Sequence, residues 1–135
     1  MMKTNHFKFD KLIRDRSPQF LQDSGINVFH RVMGQDEFIR QLKQKLLEEV
    51  QEVHTALSPE EMLEELADLL EVIYALTTCQ GFSLADLEAQ RLQKKEARGG
   101  FEGRLYIAAV EIPENHPYLS YYRANPEKYP ELNQG

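Results

Sequence analysis

Two short acidic motifs on either side of one turn signal constrain the fold of this chain more than any other feature. They are Glu49-Val50-Gln51-Glu52 and Glu65-Leu66-Ala67-Asp68. Residues three apart share a face of an α-helix, so each motif would present its two carboxylates together. The outer carboxylates of the two motifs are equally far from the Ser58-Pro59 junction, and so are the inner ones. An antiparallel helix hairpin would therefore set all four carboxylates at one level.

The turn between the motifs carries a strong helix-start signal. Ser58 is a favourable N-cap, Pro59 suits the first helical position, and Glu61 would complete a capping box. The helix that begins here is expected to end at residues 79–80, where Gly81 follows as a C-terminal signal.

Both predicted helices carry apolar surfaces. The first, over about residues 37–57 with Asp36 as its cap, has an apolar residue at every third or fourth position. The second has a wider apolar surface, formed by Met62, Leu63, Leu66, Leu69, Leu70, Ile73 and Leu76. A hairpin of one small chain cannot easily bury so wide a surface. We therefore expect a partner helix from another copy, in a homodimer or a homotetramer.

Shorter elements are predicted on both sides of the hairpin. A short helix should begin with Ser17 as its N-cap and stop at Gly25. Residues 26–33 and 105–112 are rich in β-formers and predict two short strands that could pair with each other. A further, mostly polar helix should begin at Ser83 and end before Gly99-Gly100.

These elements predict an all-α fold. It would be an antiparallel helical bundle completed by oligomerisation, with a small two-stranded β element. Residues 1–112 would form the domain, and residues 113–135 a C-terminal tail that is extended or loosely ordered. The tail has four prolines and four tyrosines but little periodicity.

The composition excludes several classes of protein. It is ordinary for a globular chain of 135 residues, with 41% hydrophobic residues and a net charge of −6, which argues against a nucleic-acid binder. No apolar run approaches the roughly 18 residues that span a membrane, and residues 1–10 lack the apolar core of a secretory signal. The single cysteine, Cys79, suits a reducing compartment. We therefore expect a cytoplasmic protein without nucleic-acid or membrane partners.

The charge distribution points to metal and phosphate chemistry. Residues 36–71 hold 11 of the 22 acidic residues and three basic ones, a net charge of −8. Four converging carboxylates, from Glu49, Glu52, Glu65 and Asp68, are the hard oxygen ligands that Mg²⁺ prefers, with Mn²⁺ as an alternative. Two such ions could polarise a phosphate and lower the pKa of an attacking water. A single glutamate on a helix is usually solvated surface, so the hypothesis depends on the mirrored pairs.

Basic residues offer weaker signals. Arg91, Lys94, Lys95 and Arg98 have helical spacing and precede two glycines whose backbone could approach a phosphate closely. Lysines near a helix C-terminus also favour the helix dipole. Arg14 could bind a phosphate bidentately or form a structural ion pair. The four histidines show no metal-ligand spacing.

With these motifs the chain resembles the MazG-like, all-α nucleoside triphosphate pyrophosphohydrolases. Their hallmark is E-x-x-E, a short spacer and E-x-x-D, which is matched here by Glu49, Glu52, Glu65 and Asp68. The double glutamate Glu48-Glu49 also fits. The segments Lys11–Asp15 and Arg98–Phe101 resemble a subgroup described as phosphoribosyl-ATP pyrophosphohydrolase-like. The resemblance covers roughly residues 9–108.

The resemblance implies Mg²⁺-dependent cleavage between the α and β phosphates, which gives a nucleoside monophosphate and pyrophosphate. The four motif carboxylates would hold the metals, and Glu49 or Glu52 would orient the water, with Glu48 as a further candidate. Lys95 and Arg98 would contact phosphates, from the same or a neighbouring subunit, and Arg14 would assist. The expected role is house-cleaning of the nucleotide pool.

Two alternatives stay open. One is hydrolysis of phosphoribosyl-ATP in histidine biosynthesis, which uses the same metal chemistry; the additional N-terminal segment and strand favour the house-cleaning role. The other is a non-catalytic helical oligomerisation module or regulatory nucleotide-binding module. Such a module would tolerate charge-preserving changes at Glu52 or Asp68, whereas a metal site would not. The sequence does not identify the base of the nucleotide.

Overall fold

A computed structural model describes residues 2–132 as helices joined by irregular segments. The helices are α1 (Ser17–Asp23), α2 (Gln35–Thr55), α3 (Pro59–Cys79), α4 (Leu84–Arg98) and α5 (Leu119–Ala124). No strand forms within this part of the chain, so the predicted all-α class is confirmed. None of these helices has the length and apolar character needed to cross a membrane.

The chain forms two compact units, one up to residue 97 and one from residue 98 onward. The first unit contains α1, α2, α3 and nearly all of α4, and the second contains α5. The domain limits predicted from the sequence, residues 1–112 and 113–135, stay a prediction.

The α2–α3 hairpin forms around the predicted turn. The backbone N–H of Glu61 donates to Ser58 Oγ at 3.1 Å, and Pro59 occupies the first turn of α3. The carboxylate of Glu61 accepts a hydrogen bond from the backbone N–H of Leu57, also at 3.1 Å. The capping box therefore forms with its reciprocal bond shifted by one residue. Because the connection is only three residues long, the two 21-residue helices run antiparallel along each other.

A narrow apolar contact holds the hairpin together. Leu42 of α2 is 2% exposed and Val72 of α3 is 8% exposed, and they are the only buried hydrophobic residues within 2–132. Part of the wide apolar surface of α3 is not covered within this chain, since Leu63 is 70% exposed and Leu66 and Leu70 are each 44% exposed. The other four residues of that surface, Met62, Leu69, Ile73 and Leu76, are half-buried. A face that the sequence predicts to be buried is thus open in the single chain.

The predicted two-stranded element is wrong. Residues 26–33 and 105–112 are irregular, without a bridge to any strand in the part of the chain that the structure covers. A β-rich segment becomes a strand only when another strand satisfies its backbone groups. Here the N–H of Ile26 bonds instead to the carbonyl of Leu21 at 3.0 Å.

Two predicted caps are also wrong. Ser17 lies inside α1, whose N-cap is Arg16 without a side-chain hydrogen bond, and Ser17 N–H bonds to the Arg14 carbonyl at 3.0 Å. The N-cap of α2 is Gly34, so Asp36 falls in the first turn. There its negative charge still interacts favourably with the helix dipole. Neither N-cap makes a side-chain hydrogen bond, so no polar side chain fixes the helix start at one residue.

The predicted end of α4 is confirmed, and the tail is more ordered than expected. Ser83 and Asp86 cap α4 reciprocally, at 3.0 Å and 2.9 Å, and α4 ends at Arg98 before Gly99 with φ +85°. In the tail, Arg123 of α5 lies 3.0 Å from the carboxylate of Glu131. A six-residue helix is too short to show periodicity in the sequence.

Replacing Leu42 by Ala should lower the free energy of unfolding by about 2–4 kcal/mol, because the change leaves a cavity at the most buried side chain of the hairpin. The matched control is Leu57→Ala, which removes the same atoms from a side chain that is 93% exposed. This control change should lower the free energy of unfolding by less than about 0.5 kcal/mol. Urea unfolding followed by circular dichroism measures both, and equal losses would contradict this account of the core.

Candidate metal centre

The carboxylates lie on the seam, the strip along which α2 and α3 face each other. On α2, Leu42 and Glu49 are two helical turns apart, and on α3, Asp68 and Val72 are one turn apart. Residues at these spacings share a face. Each helix therefore places a carboxylate on the same face as its buried apolar residue, so packing of the apolar pair also brings the acidic groups together.

Three carboxylates converge on the seam. One oxygen each of Glu49, Glu65 and Asp68 lies within 4.8 Å of the others, and all three residues are half-buried. Oxygens that bind one Mg²⁺ at about 2.1 Å are at most about 4.2 Å apart. The three side chains need only a small adjustment to share one ion. Their number, spacing and hard oxygen donors fit a divalent cation.

Glu52, the fourth predicted ligand, is not part of this group. Its side chain is exposed, one helical turn beyond Glu49 and near the end of α2 at Thr55. It is still close enough to Glu65 for its negative charge to raise the pKa of that residue. The structure thus brings three of the four predicted ligands together and leaves the fourth beside them.

The electrostatics of the group show that its negative charges repel one another. Burial raises the pKa of Glu49; Lys45 opposes this, and the neighbouring carboxylates add to the increase. Burial is also the largest cause that raises the pKa of Glu65, followed by repulsion from Glu52 and Asp68. A cation bound here would relieve this repulsion.

Two basic side chains balance the group in part. Arg14 Nη2 donates to Asp68 Oδ1 at 2.8 Å, so the structure brings this predicted phosphate ligand to the acidic site. Lys45 Nζ lies 3.5 Å from Glu48 Oε2 and 3.8 Å from Glu49 Oε1. Sequence reasoning missed Lys45 as a site residue, although its spacing of three and four residues from the two glutamates was a signal.

The other predicted phosphate ligands are not brought to the carboxylates by helix packing. Lys95 is exposed on α4, and α4 packs against no other helix within residues 2–132. Arg98 is the last residue of α4 and belongs to the second compact unit. The phosphate-binding roles predicted for Lys95 and Arg98 therefore stay predictions.

The comparisons with known proteins agree with the resemblance seen in the motifs. A family model described as phosphoribosyl-ATP pyrophosphohydrolase (PRA-PH) matches residues 8–95, well over half of the chain. The matched region includes all four motif carboxylates, Arg14 and Lys95. Searches of curated proteins and of solved structures gave no match. The chain therefore belongs to the phosphoribosyl-ATP pyrophosphohydrolase family, within the MazG-like nucleoside triphosphate pyrophosphohydrolase superfamily.

Proposed function

We propose that this protein is a Mg²⁺-dependent nucleoside triphosphate pyrophosphohydrolase that releases a nucleoside monophosphate and pyrophosphate. Family membership makes it a pyrophosphohydrolase that acts on a nucleotide-like substrate. The observation that carries the finer proposal is the convergence of oxygens from Glu49, Glu65 and Asp68 within 4.8 Å of one another. Such a group holds a hard divalent cation well, and phosphate hydrolysis is the chemistry that such cations serve.

Glu49, Glu65 and Asp68 are the proposed ligands of Mg²⁺, or alternatively of Mn²⁺. Glu52 is the proposed fourth ligand, because its exposed side chain lies one helical turn beyond Glu49 and near enough to Glu65 for its charge to raise the pKa of Glu65. When bound, the cation would neutralise charge on the phosphates and favour attack by water. The three grouped carboxylates hold a rigid position, since they stand on two helices that pack directly against each other.

A carboxylate beside the ligand group would orient the attacking water and accept its proton. Glu52 supports this role because it is exposed and borders Glu65. Glu49 is the alternative, since burial raises its pKa and makes it a stronger base than an ordinary glutamate. Glu48 is a weaker candidate because its carboxylate is engaged by Lys45 at 3.5 Å.

Phosphate binding is assigned to Arg14, Lys95 and Arg98. Arg14 already lies at the carboxylates, and its planar guanidinium can bind a phosphate through two hydrogen bonds. Lys95 and Arg98 are assigned to the site of a neighbouring copy, because α4 has no helix partner within the part of the chain described. This assignment requires an oligomer.

We propose a homodimer or homotetramer in which the open face of α3 is covered by another copy. Leu63, Leu66 and Leu70 are exposed on one side of the helix, whereas the seam lies on another. Oligomerisation would bury this apolar face and leave the carboxylates accessible. The cytoplasmic location and the lack of nucleic-acid partners stay predictions.

The proposed biological role is house-cleaning of canonical, modified or non-canonical nucleoside triphosphates, which the additional N-terminal segment favours. The strand that was expected to favour this role as well does not form at residues 26–33. The second candidate is hydrolysis of phosphoribosyl-ATP in histidine biosynthesis, which the description of the matching family favours. In both substrates the bond to be cleaved joins the α and β phosphates. The same carboxylates would therefore hold the metal for either substrate. A non-catalytic nucleotide-binding module is the remaining alternative.

Glu52→Gln should lower pyrophosphate release by about 10²–10⁴-fold, because the amide cannot accept the proton of water. The assay measures pyrophosphate from a panel of nucleoside triphosphates and phosphoribosyl-ATP, with Mg²⁺ and with EDTA. The control is Glu71→Gln, which removes the same charge from an exposed position of α3 outside the ligand group. Equal activity of the two variants would contradict the role of Glu52, and the preferred substrate would decide between the two enzymatic roles.

The repulsion within the ligand group should appear in the pH dependence of stability. Glu49 and Glu65 have a folded-state pKa raised above the ordinary value of 4.5, so the folded chain binds more protons than the unfolded chain. The stability that they contribute is therefore present below about pH 4.5 and is lost as the pH rises through the folded pKa values. In EDTA, the Tm advantage of the double variant Glu49→Gln/Glu65→Gln over wild type should grow from pH 5 to pH 8. If the Tm difference between the double variant and wild type is the same at pH 5 and pH 8, repulsion within the ligand group is refuted.

Leu63→Asp should shift the protein to a smaller assembly, because it places a charge on the open apolar face of α3. Light scattering coupled to gel filtration measures the mass. Leu57→Asp is the control, since that side chain is even more exposed (93% against 70% for Leu63) but lies in the loop before α3. If wild type is a monomer at all concentrations, the proposed assembly is wrong.

A further inference from the structure

One hydrogen bond connects the N-terminal segment to the ligand group. Arg14 Nη2 donates to Asp68 Oδ1 at 2.8 Å across 54 positions of the chain. Every other side-chain hydrogen bond within residues 2–132 joins residues no more than eight positions apart. Residues 2–16 contain no helix. The ion pair is therefore the polar contact that attaches this segment to α3.

Asp68 has two roles that compete. It is one of the three carboxylates that converge, and it is also the partner of Arg14. A divalent cation at the three carboxylates would repel the guanidinium of Arg14, because both carry positive charge and would share one small carboxylate. The pair is also exposed, with side-chain exposures of 61% for Arg14 and 40% for Asp68. Exposed ion pairs are weak and exchange easily.

Lys45, the other basic residue of the site, differs in its attachment. It stands on α2 one turn from Glu48 and Glu49, so the helix keeps it beside them whatever binds. Arg14 stands on a segment without regular structure, so no helix fixes its guanidinium beside Asp68. Only Arg14 is thus free to exchange its partner.

We propose that Arg14 is an exchangeable counter-ion that holds Asp68 in the cation-free protein and is released when a divalent cation binds. This rests on the proposed function, since it requires a cation at the three carboxylates. Release leaves the guanidinium beside the site with no carboxylate partner and able to bind a phosphate oxygen. Arg14 is then a positioning residue for Asp68 before the cation binds and a phosphate ligand afterwards.

The exchange has a consequence for the order of binding. A guanidinium that donates to Asp68 offers fewer donors to a phosphate, so the cation-free site would bind a polyphosphate poorly. Filling of the cation site and capture of the phosphate are coupled through one side chain. In the loaded state the N-terminal segment would lose this one polar contact with α3, while Arg14 stays near enough to the site to reach a phosphate.

The first test is the affinity for Mn²⁺ alone, measured by titration calorimetry without nucleotide. Arg14→Gln removes the competitor and should bind Mn²⁺ about two- to fivefold more tightly than wild type, the range that an exposed ion pair allows. Lys43→Gln, which removes one positive charge from an exposed position of α2, is the control for long-range electrostatics and should change affinity less. Arg14→Lys keeps the charge without the guanidinium. Its affinity for Mn²⁺ should lie between the affinities of wild type and Arg14→Gln.

The second test is limited trypsin cleavage after Lys11, followed by mass spectrometry, since this site is present in every variant. Mn²⁺ should speed this cleavage in wild type by releasing the segment. In Arg14→Gln the cleavage should be fast with or without Mn²⁺. Circular dichroism of each variant confirms that the helices are retained, and Arg14→Lys serves if Arg14→Gln does not fold.

The outcomes separate this proposal from the proposed function. If wild type binds no Mn²⁺, the metal centre is wrong and the exchange falls with it. If wild type binds Mn²⁺ but Arg14→Gln binds it equally or more weakly, the metal centre stands and the exchange is overturned. Cleavage after Lys11 that does not respond to Mn²⁺ in wild type overturns it as well.

Discussion

The rest of the structure depends on the packing of α2 against α3 along one seam. The apolar residues Leu42 and Val72 are buried there, and the carboxylates of Glu49 and Asp68 lie on the same faces. Hydrophobic burial favours the contact, while repulsion among the half-buried acids opposes it. The raised pKa values of Glu49 and Glu65 are the sign of that opposition. The seam thus combines a stabilising contact with a destabilising group whose charge a cation would offset.

Two features of the single chain support the proposed assembly. The open face of α3 exposes leucines that a stable helix would normally bury, and α4 has no helix partner within residues 2–132. Two of the three basic residues expected to bind phosphate, Lys95 and Arg98, stand on α4 rather than on the seam. A second copy that covers α3 could also supply α4 to the first copy, which would join assembly and site formation in one step.

The parts of the fold that could be predicted depend on local chemistry. Ser58, Pro59 and Glu61 mark the start of α3 because capping and proline geometry involve neighbours in sequence. The strands expected at 26–33 and 105–112 failed because a strand requires a distant partner for its backbone groups. The helix α5 was missed because six residues show no periodicity. At the site, the mirrored spacing identified all three carboxylates that converge, but not the exposed position of Glu52.

The sequence by itself determined that two helices joined by a capped turn each carry an acid pair, because helical periodicity and capping act over a few residues. It also placed the chain in its family through the spacing of those acids. Only the tertiary structure decided which carboxylates meet and that Arg14 joins Asp68 across 54 positions. Such contacts depend on how two helix surfaces and an irregular segment come together in space, and no local rule of spacing contains that information.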